Sequence, residues 1–117
     1  MPKRKLEILT ESMFYVLMAL IRRPMCGIEI SAFVEQKTRG ALRLGPATLY
    51  TILGKFDKEG YIREIEIEGR RRTYEITPRG ENAYHGELER LIRCVADAQS
   101  EEMNACSQLR PAQLPSL

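Results

Sequence analysis

The stretch from Gly45 to Ile62, GPATLYTILGKFDKEGYI, constrains the fold more than any other part of the chain. Gly45-Pro46 opens a helix, because proline in the first helical turn loses no needed hydrogen bond and pre-sets φ. Gly60 closes it, where a left-handed residue commonly ends a helix. Leu49, Ile52, Leu53 and Phe56 recur at helical spacing and form one apolar stripe. The opposite face carries Ala47, Thr51, Gly54 and Lys58, with Thr48 and Lys55 on one flank and Tyr50 on the other. Glycine inside a helix costs about 1 kcal/mol against alanine. A face of Ala, Thr and Gly rimmed by hydroxyls and lysines suits a helix whose backbone must approach a partner closely, and a DNA major groove is such a partner. Taken alone, the stretch equally fits an ordinary amphipathic helix with short side chains facing solvent.

The next residues, YIREIEIEGRRRTYEITPRG, alternate on both sides of Gly69. Ile65 and Ile67 interleave with Glu64, Glu66 and Glu68; Tyr74 and Ile76 interleave with Thr73, Glu75 and Thr77. Period-two patterning around a glycine turn predicts a β-hairpin. Arg70, Arg71 and Arg72 stand at its tip. Three adjacent arginines on a projecting turn make a poor core and a good contact to phosphates or a minor groove. Cross-strand pairing of Arg71 and Arg72 with Glu64, Glu66 and Glu68 is the competing role.

These motifs together resemble the PadR family of bacterial transcriptional regulators. The resemblance rests on GPATLY, the leucine-bearing helix ending KEGYI, and GRRRTYEITPRG. Upstream, Ser12 to Leu20 resembles the family's first helix, and Cys26-Gly27-Ile28-Glu29-Ile30 resembles the opening of its second. It covers about residues 10 to 100. Ile28 replaces the usual tyrosine, Ala47 stands where glycine or serine is common, and Thr51 where proline often follows the Leu-Tyr pair. These departures bear on base preference rather than on the fold. The resemblance implies a mainly α fold with a small β-hairpin: a winged helix-turn-helix domain followed by a C-terminal dimerisation helix. It further implies a DNA-binding, homodimeric regulator, a repressor released by a small hydrophobic or aromatic effector, in a family known for phenolic-acid and drug responses.

The bounds agree. A chain of 117 residues suits one domain with a modest core. It holds no run of about 18 apolar residues that could span a membrane; the longest, Met13 to Ile21, ends at Arg22-Arg23-Pro24. The first residues, MPKRKLEIL, lack the apolar region of a secretory signal. Cys26, Cys94 and Cys106 show no CxxC spacing and an odd count, so they read as free thiols of a cytoplasmic protein. Net charge is only +2, but residues 1–80 carry 15 Lys/Arg against 10 Asp/Glu, and residues 81–117 carry 3 against 6. A basic front and an acidic back point to a polyanion partner for the first part alone.

The expected organisation is a basic arm over residues 1–9, a winged domain over 10–77, a dimerisation helix over 78–103 and a flexible tail over 104–117. Lys3 and Arg4 in the arm join the expected DNA contacts Ala47, Thr48, Tyr50, Thr51, Lys55, Arg70, Arg71 and Arg72. The first helix is expected from about Thr10 to Arg22, capped by Thr10 or Ser12, and the second from Gly27 to Thr38 with Gly40 as its stop. Leu42 and Leu44 are expected to form a short first strand. The last helix is expected from about Pro78 to Glu102. In it Tyr84, Leu88, Leu91, Val95 and Ala98 follow a heptad seam with Ile92 beside it. A seam after a complete winged domain implies a partner copy; folding back onto the first helix is the alternative.

Chemistry is scarce. His85 has no second ligand in register, no paired carboxylates sit at strand ends, and no phosphate loop exists. The chain reads as non-catalytic, without metal or cofactor. A winged-helix protein-interaction module that does not bind DNA is the alternative function; it would more naturally expose Leu, Phe or Trp on the third helix. An effector pocket is expected between the first and last helices, near Phe14, Tyr15, Met18, Tyr84, Leu88 and Cys94. Methionine and aromatics there equally suit plain core, and Cys94 reads as a small buried hydrophobe.

Overall fold

A computed structural model describes residues 9–106. Along the chain come α1 (Glu11–Arg22), β1 (Met25–Cys26), α2 (Gly27–Lys37), α3 (Pro46–Glu59), β2 (Ile62–Glu68), β3 (Arg71–Ile76) and α4 (Pro78–Cys106). The chain divides into two compact units between Glu87 and Leu88, within α4.

In the first unit the core forms around α1. Thr10 caps this helix, its Oγ1 accepting the Met13 N–H at 3.1 Å. Met13, Phe14, Val16, Leu17, Ala19 and Leu20 are all buried. Their positions run nearly round the helix, which is why α1 is covered on more than one side. Ile30 and Val34 from α2 and the α3 stripe Leu49, Ile52, Leu53 and Phe56 complete the core with Tyr61 and Ile62. Each fully buried aliphatic or aromatic side chain contributes roughly 1.5–3 kcal/mol by leaving water.

The sheet is three-stranded and antiparallel, in the order β1-β3-β2. Its first strand is not at Leu42 and Leu44, as the sequence suggested, but at Met25–Cys26, which pair with Tyr74 and Thr73. The α2–α3 connection is instead closed by Thr38. Its Oγ1 accepts the Leu42 N–H at 3.0 Å and donates to the Val34 carbonyl at 2.8 Å. The Leu42 N–H is thereby engaged locally, and Leu44 is buried as a loop residue. In the hairpin, Glu64 faces Tyr74 and Glu66 faces Thr73, so Ile65 is the extra residue of a β-bulge. Ile65 and Ile67 are both exposed, so the outer hairpin projects with neither face covered.

The junction of α3, β2 and α4 fixes where the wing leaves the body. Gly60 ends α3 in the left-handed region at φ 77°, and the Tyr61 N–H returns to the Phe56 carbonyl at 2.8 Å. Thr77 donates from Oγ1 to the Gly60 carbonyl at 2.6 Å and accepts the Gly80 N–H at 3.1 Å. Gly80 lies so close that a Cβ there would stand 2.1 Å from the Tyr61 carbonyl oxygen. Any larger residue would have to push α4 off this corner.

The second unit begins at Leu88, and its described residues belong to α4. The helix continues through Cys106, so Asn104 to Cys106, expected in the tail, are helical. Among the described residues no helix is long and apolar enough to cross a membrane, and no cluster of His, Cys, Asp or Glu could hold a metal ion.

Candidate nucleic-acid interface

The α3 stripe is buried, so the opposite face is left to solvent. Ala47, Thr48, Tyr50, Thr51, Gly54 and Lys55 are all exposed, Tyr50 to 61%. The Thr51 Oγ1 donates to the Ala47 carbonyl at 2.9 Å, so its donor is turned to the helix itself. A Cβ added at Gly54 would meet nothing within 4 Å. Packing inside the chain therefore does not require glycine at this position, although glycine weakens the helix.

The wing supplies the charge. Gly69 turns at φ 60°, and Arg70, Arg71 and Arg72 follow it, all exposed. Arg72 reaches Glu64 at 3.5 Å, the cross-strand role weighed from the sequence. Among the described residues Arg70 and Arg71 make no ion pair. Nearer the body, Arg63 pairs with Glu75. Such exposed pairs contribute little to stability, about 0–1 kcal/mol each. Lys3 and Arg4 lie outside the described residues.

Tyr50 and the three wing arginines also meet in space. They line a cleft of about 810 Å3 together with Ile28 at the start of α2. Cys26 and Tyr74 line it too, and both are almost fully buried. Burial, with the Glu64 charge second, holds the Tyr74 phenol above its usual pKa. Sequence reasoning missed Ile28 as part of this region. Its 74% exposure is the signal, and that signal is visible only in three dimensions.

Of the expected effector residues, Phe14 is buried and Tyr15, Met18 and Tyr84 are partly buried. The Phe14 and Tyr84 rings stack face to face, 5.0 Å between centroids and 8° between planes. Burial alone raises the Tyr84 phenol's pKa. Leu88 and Cys94 belong to the other unit. Cys94 is exposed rather than buried, because α4 presents it to solvent, and the Arg90 guanidinium lies 3.8 Å from its Sγ. On the same helix Leu88 and Leu91 are half-buried, while Ile92, Val95 and Ala98 are exposed. His85 is exposed and meets Tyr84 edge to face at 5.3 Å.

Comparison with known proteins places the chain in a family. Residues 16–86 match the transcriptional regulator PadR-like family, and the chain belongs to it. It is 32% identical over 83 residues to an uncharacterised 37.1 kDa protein in transposon Tn4556 of Streptomyces fradiae. That match takes in 71% of this chain and only 24% of the relative, so the chain spans about a quarter of that protein's length. The fold is similar to a transcriptional regulator from Clostridium thermocellum, with a TM-score of 0.65 and 29% identity over 78% of this chain and 97% of that one. It is also similar to Bacillus subtilis PadR, solved in complex with operator DNA, with a TM-score of 0.58 and 21% identity over 65% of this chain and 45% of the other. The family is one of transcriptional regulators, not of enzymes.

Proposed function

We propose that this PadR-like chain is a DNA-binding repressor that works as a homodimer in the cytoplasm. Its α3 enters the major groove, with Ala47, Thr48, Thr51 and Lys55 towards the bases and Tyr50 on a phosphate. Arg70, Arg71 and Arg72 contact the flanking backbone or minor groove, and Lys3 and Arg4 add charge from the arm. The observation that carries this reading is the small, exposed α3 face, whose Gly54 the fold itself does not require. It exposes no Leu, Phe or Trp, which a protein-docking face would favour.

Dimerisation runs through Tyr84, Leu88, Leu91, Val95 and Ala98. The exposed apolar residues Ile92 and Val95 support it, because a partner helix would cover them. Two recognition helices related by a two-fold require an inverted-repeat operator with half-sites one helical turn, or a multiple, apart. A small hydrophobic or aromatic effector that packs near Phe14, Tyr15, Met18 and Tyr84 would change the spacing of the recognition helices and release the operator.

The test is selection of bound fragments from random double-stranded DNA, followed by binding of Thr51→Glu to the selected sequence. A negative charge on the exposed α3 face abolishes binding and leaves the melting temperature nearly unchanged. A Thr51→Glu protein that binds as well as wild type removes α3 from the interface.

A further inference from the structure

We propose that the cleft between the wing and the start of α2 is a binding site for an amphipathic anion: a small molecule with an apolar body and one carboxylate, sulfonate or phosphate-ester group. The cleft's volume of about 810 Å3 lies in the range of small-molecule sites. Two kinds of surface meet in it. Ile28, 74% exposed, is a large aliphatic side chain left in water beside the nearly buried Cys26 and Tyr74. Arg70, Arg71 and Arg72 come from the wing, and among the described residues only Arg72 is paired, with Glu64. Glu68 is the one carboxylate among the lining residues, so the lining stays net positive. Tyr50 adds a phenol from α3.

The combination selects the ligand class. A bare phosphate would use the guanidinium groups and leave Ile28 in water. An uncharged apolar molecule would cover Ile28 and gain nothing from the arginines. A ligand with both parts buries apolar surface and makes charge-assisted hydrogen bonds at once.

The site rests on its own geometry; its consequence rests on the DNA-binding reading. Tyr50 and Arg70 to Arg72 are the groups proposed to hold DNA, so a ligand in the cleft competes with the operator directly. No change in the spacing of the recognition helices is needed. This separates the cleft from the aromatic residues of α1 and α4, where release would depend on movement.

The test uses anilinonaphthalene sulfonate, two apolar ring systems with one sulfonate, titrated into the full chain and read by fluorescence. Wild type should bind it saturably. Ile28→Asp and Arg71→Ala, both at exposed positions, should each weaken binding at least tenfold while circular dichroism and melting temperature stay unchanged. Equal probe binding by wild type and both variants, or no saturable binding by wild type, overturns the site. A selected operator fragment should displace the probe. If protein, probe and operator form a ternary complex with neither affinity reduced, direct competition is wrong. If the variants lose the probe and no DNA is bound at all, the ligand site stands and the DNA-binding reading fails.

Discussion

The helices of the two units all carry apolar side chains at helical spacing, and these meet different fates. In the first unit, Leu17 and Phe56 come from stripes on α1 and α3 and are fully buried. In the second, Ile92, Val95 and Met103 are 59%, 55% and 74% exposed. Helical spacing establishes that residues share a face; it does not establish what covers that face. In the first unit the chain covers its own stripes. On α4 the apolar side chains of Ile92, Val95 and Met103 stay in solvent.

The strongest way to break this contrast is to truncate one residue on each side of it. Phe56→Ala removes a fully buried ring and should cost about 3–5 kcal/mol, read as a large fall in the urea midpoint. A loss under about 1 kcal/mol would mean that the α3 stripe is not the core described. Leu91→Asp should instead leave the first unit folded. It should yield monomers in sedimentation and weaken operator binding by about 100-fold, because the second recognition helix loses its tether. Dimers that persist in Leu91→Asp would move the interface off the seam.

The contrast also explains what was legible in the sequence. The α3 helix was readable because its signals are local: Pro46 at one end, Gly60 at the other, and four apolar residues at helical spacing. The hairpin was readable because alternation flanks Gly69. The strand Met25–Cys26 was not, since two residues show no period and its partners, Thr73 and Tyr74, are distant in sequence. The bulge at Ile65 was hidden because alternation in one strand does not reveal how many residues the other strand opposes. Gly80 was hidden too, because its contact with the Tyr61 carbonyl is tertiary. At the candidate interface the sequence singled out Tyr50 and Arg70 to Arg72, but only the fold brings Ile28 beside them.

Within the first unit, Gly54 separates stability from function. The space beyond its Cα is open, and helix propensity favours alanine by about 1 kcal/mol. Gly54→Ala should therefore raise stability by up to about 1 kcal/mol and weaken operator binding, because the added methyl holds the helix away from the groove. A variant that is more stable and binds equally well would place position 54 outside the contact.

The smallest effect is expected where β1 turns into α2, and it depends on pH. The Glu29 Oε1 accepts the Cys26 N–H at 3.0 Å, and Oε2 meets Arg23 at 3.1 Å. The hydrogen bond from the Cys26 backbone leads in lowering the carboxyl's pKa, followed by the Cys26 side chain and Arg23. A folded-state pKa below the unfolded one means that ionised Glu29 stabilises the protein above the unfolded pKa. That contribution is lost as the pH falls through the folded value. Glu29→Gln keeps an acceptor for the Cys26 N–H and removes the charge. Near neutral pH it should cost only about 0.5 kcal/mol, since the site is open to solvent and the charge sits on the first turn of a helix. Melting curves of the two proteins should converge as the pH drops below the ordinary carboxylate range, and added salt should shrink their difference at neutral pH. A gap that stays constant down to strongly acidic pH would show that Glu29 acts through the geometry of its hydrogen bond and not through its charge.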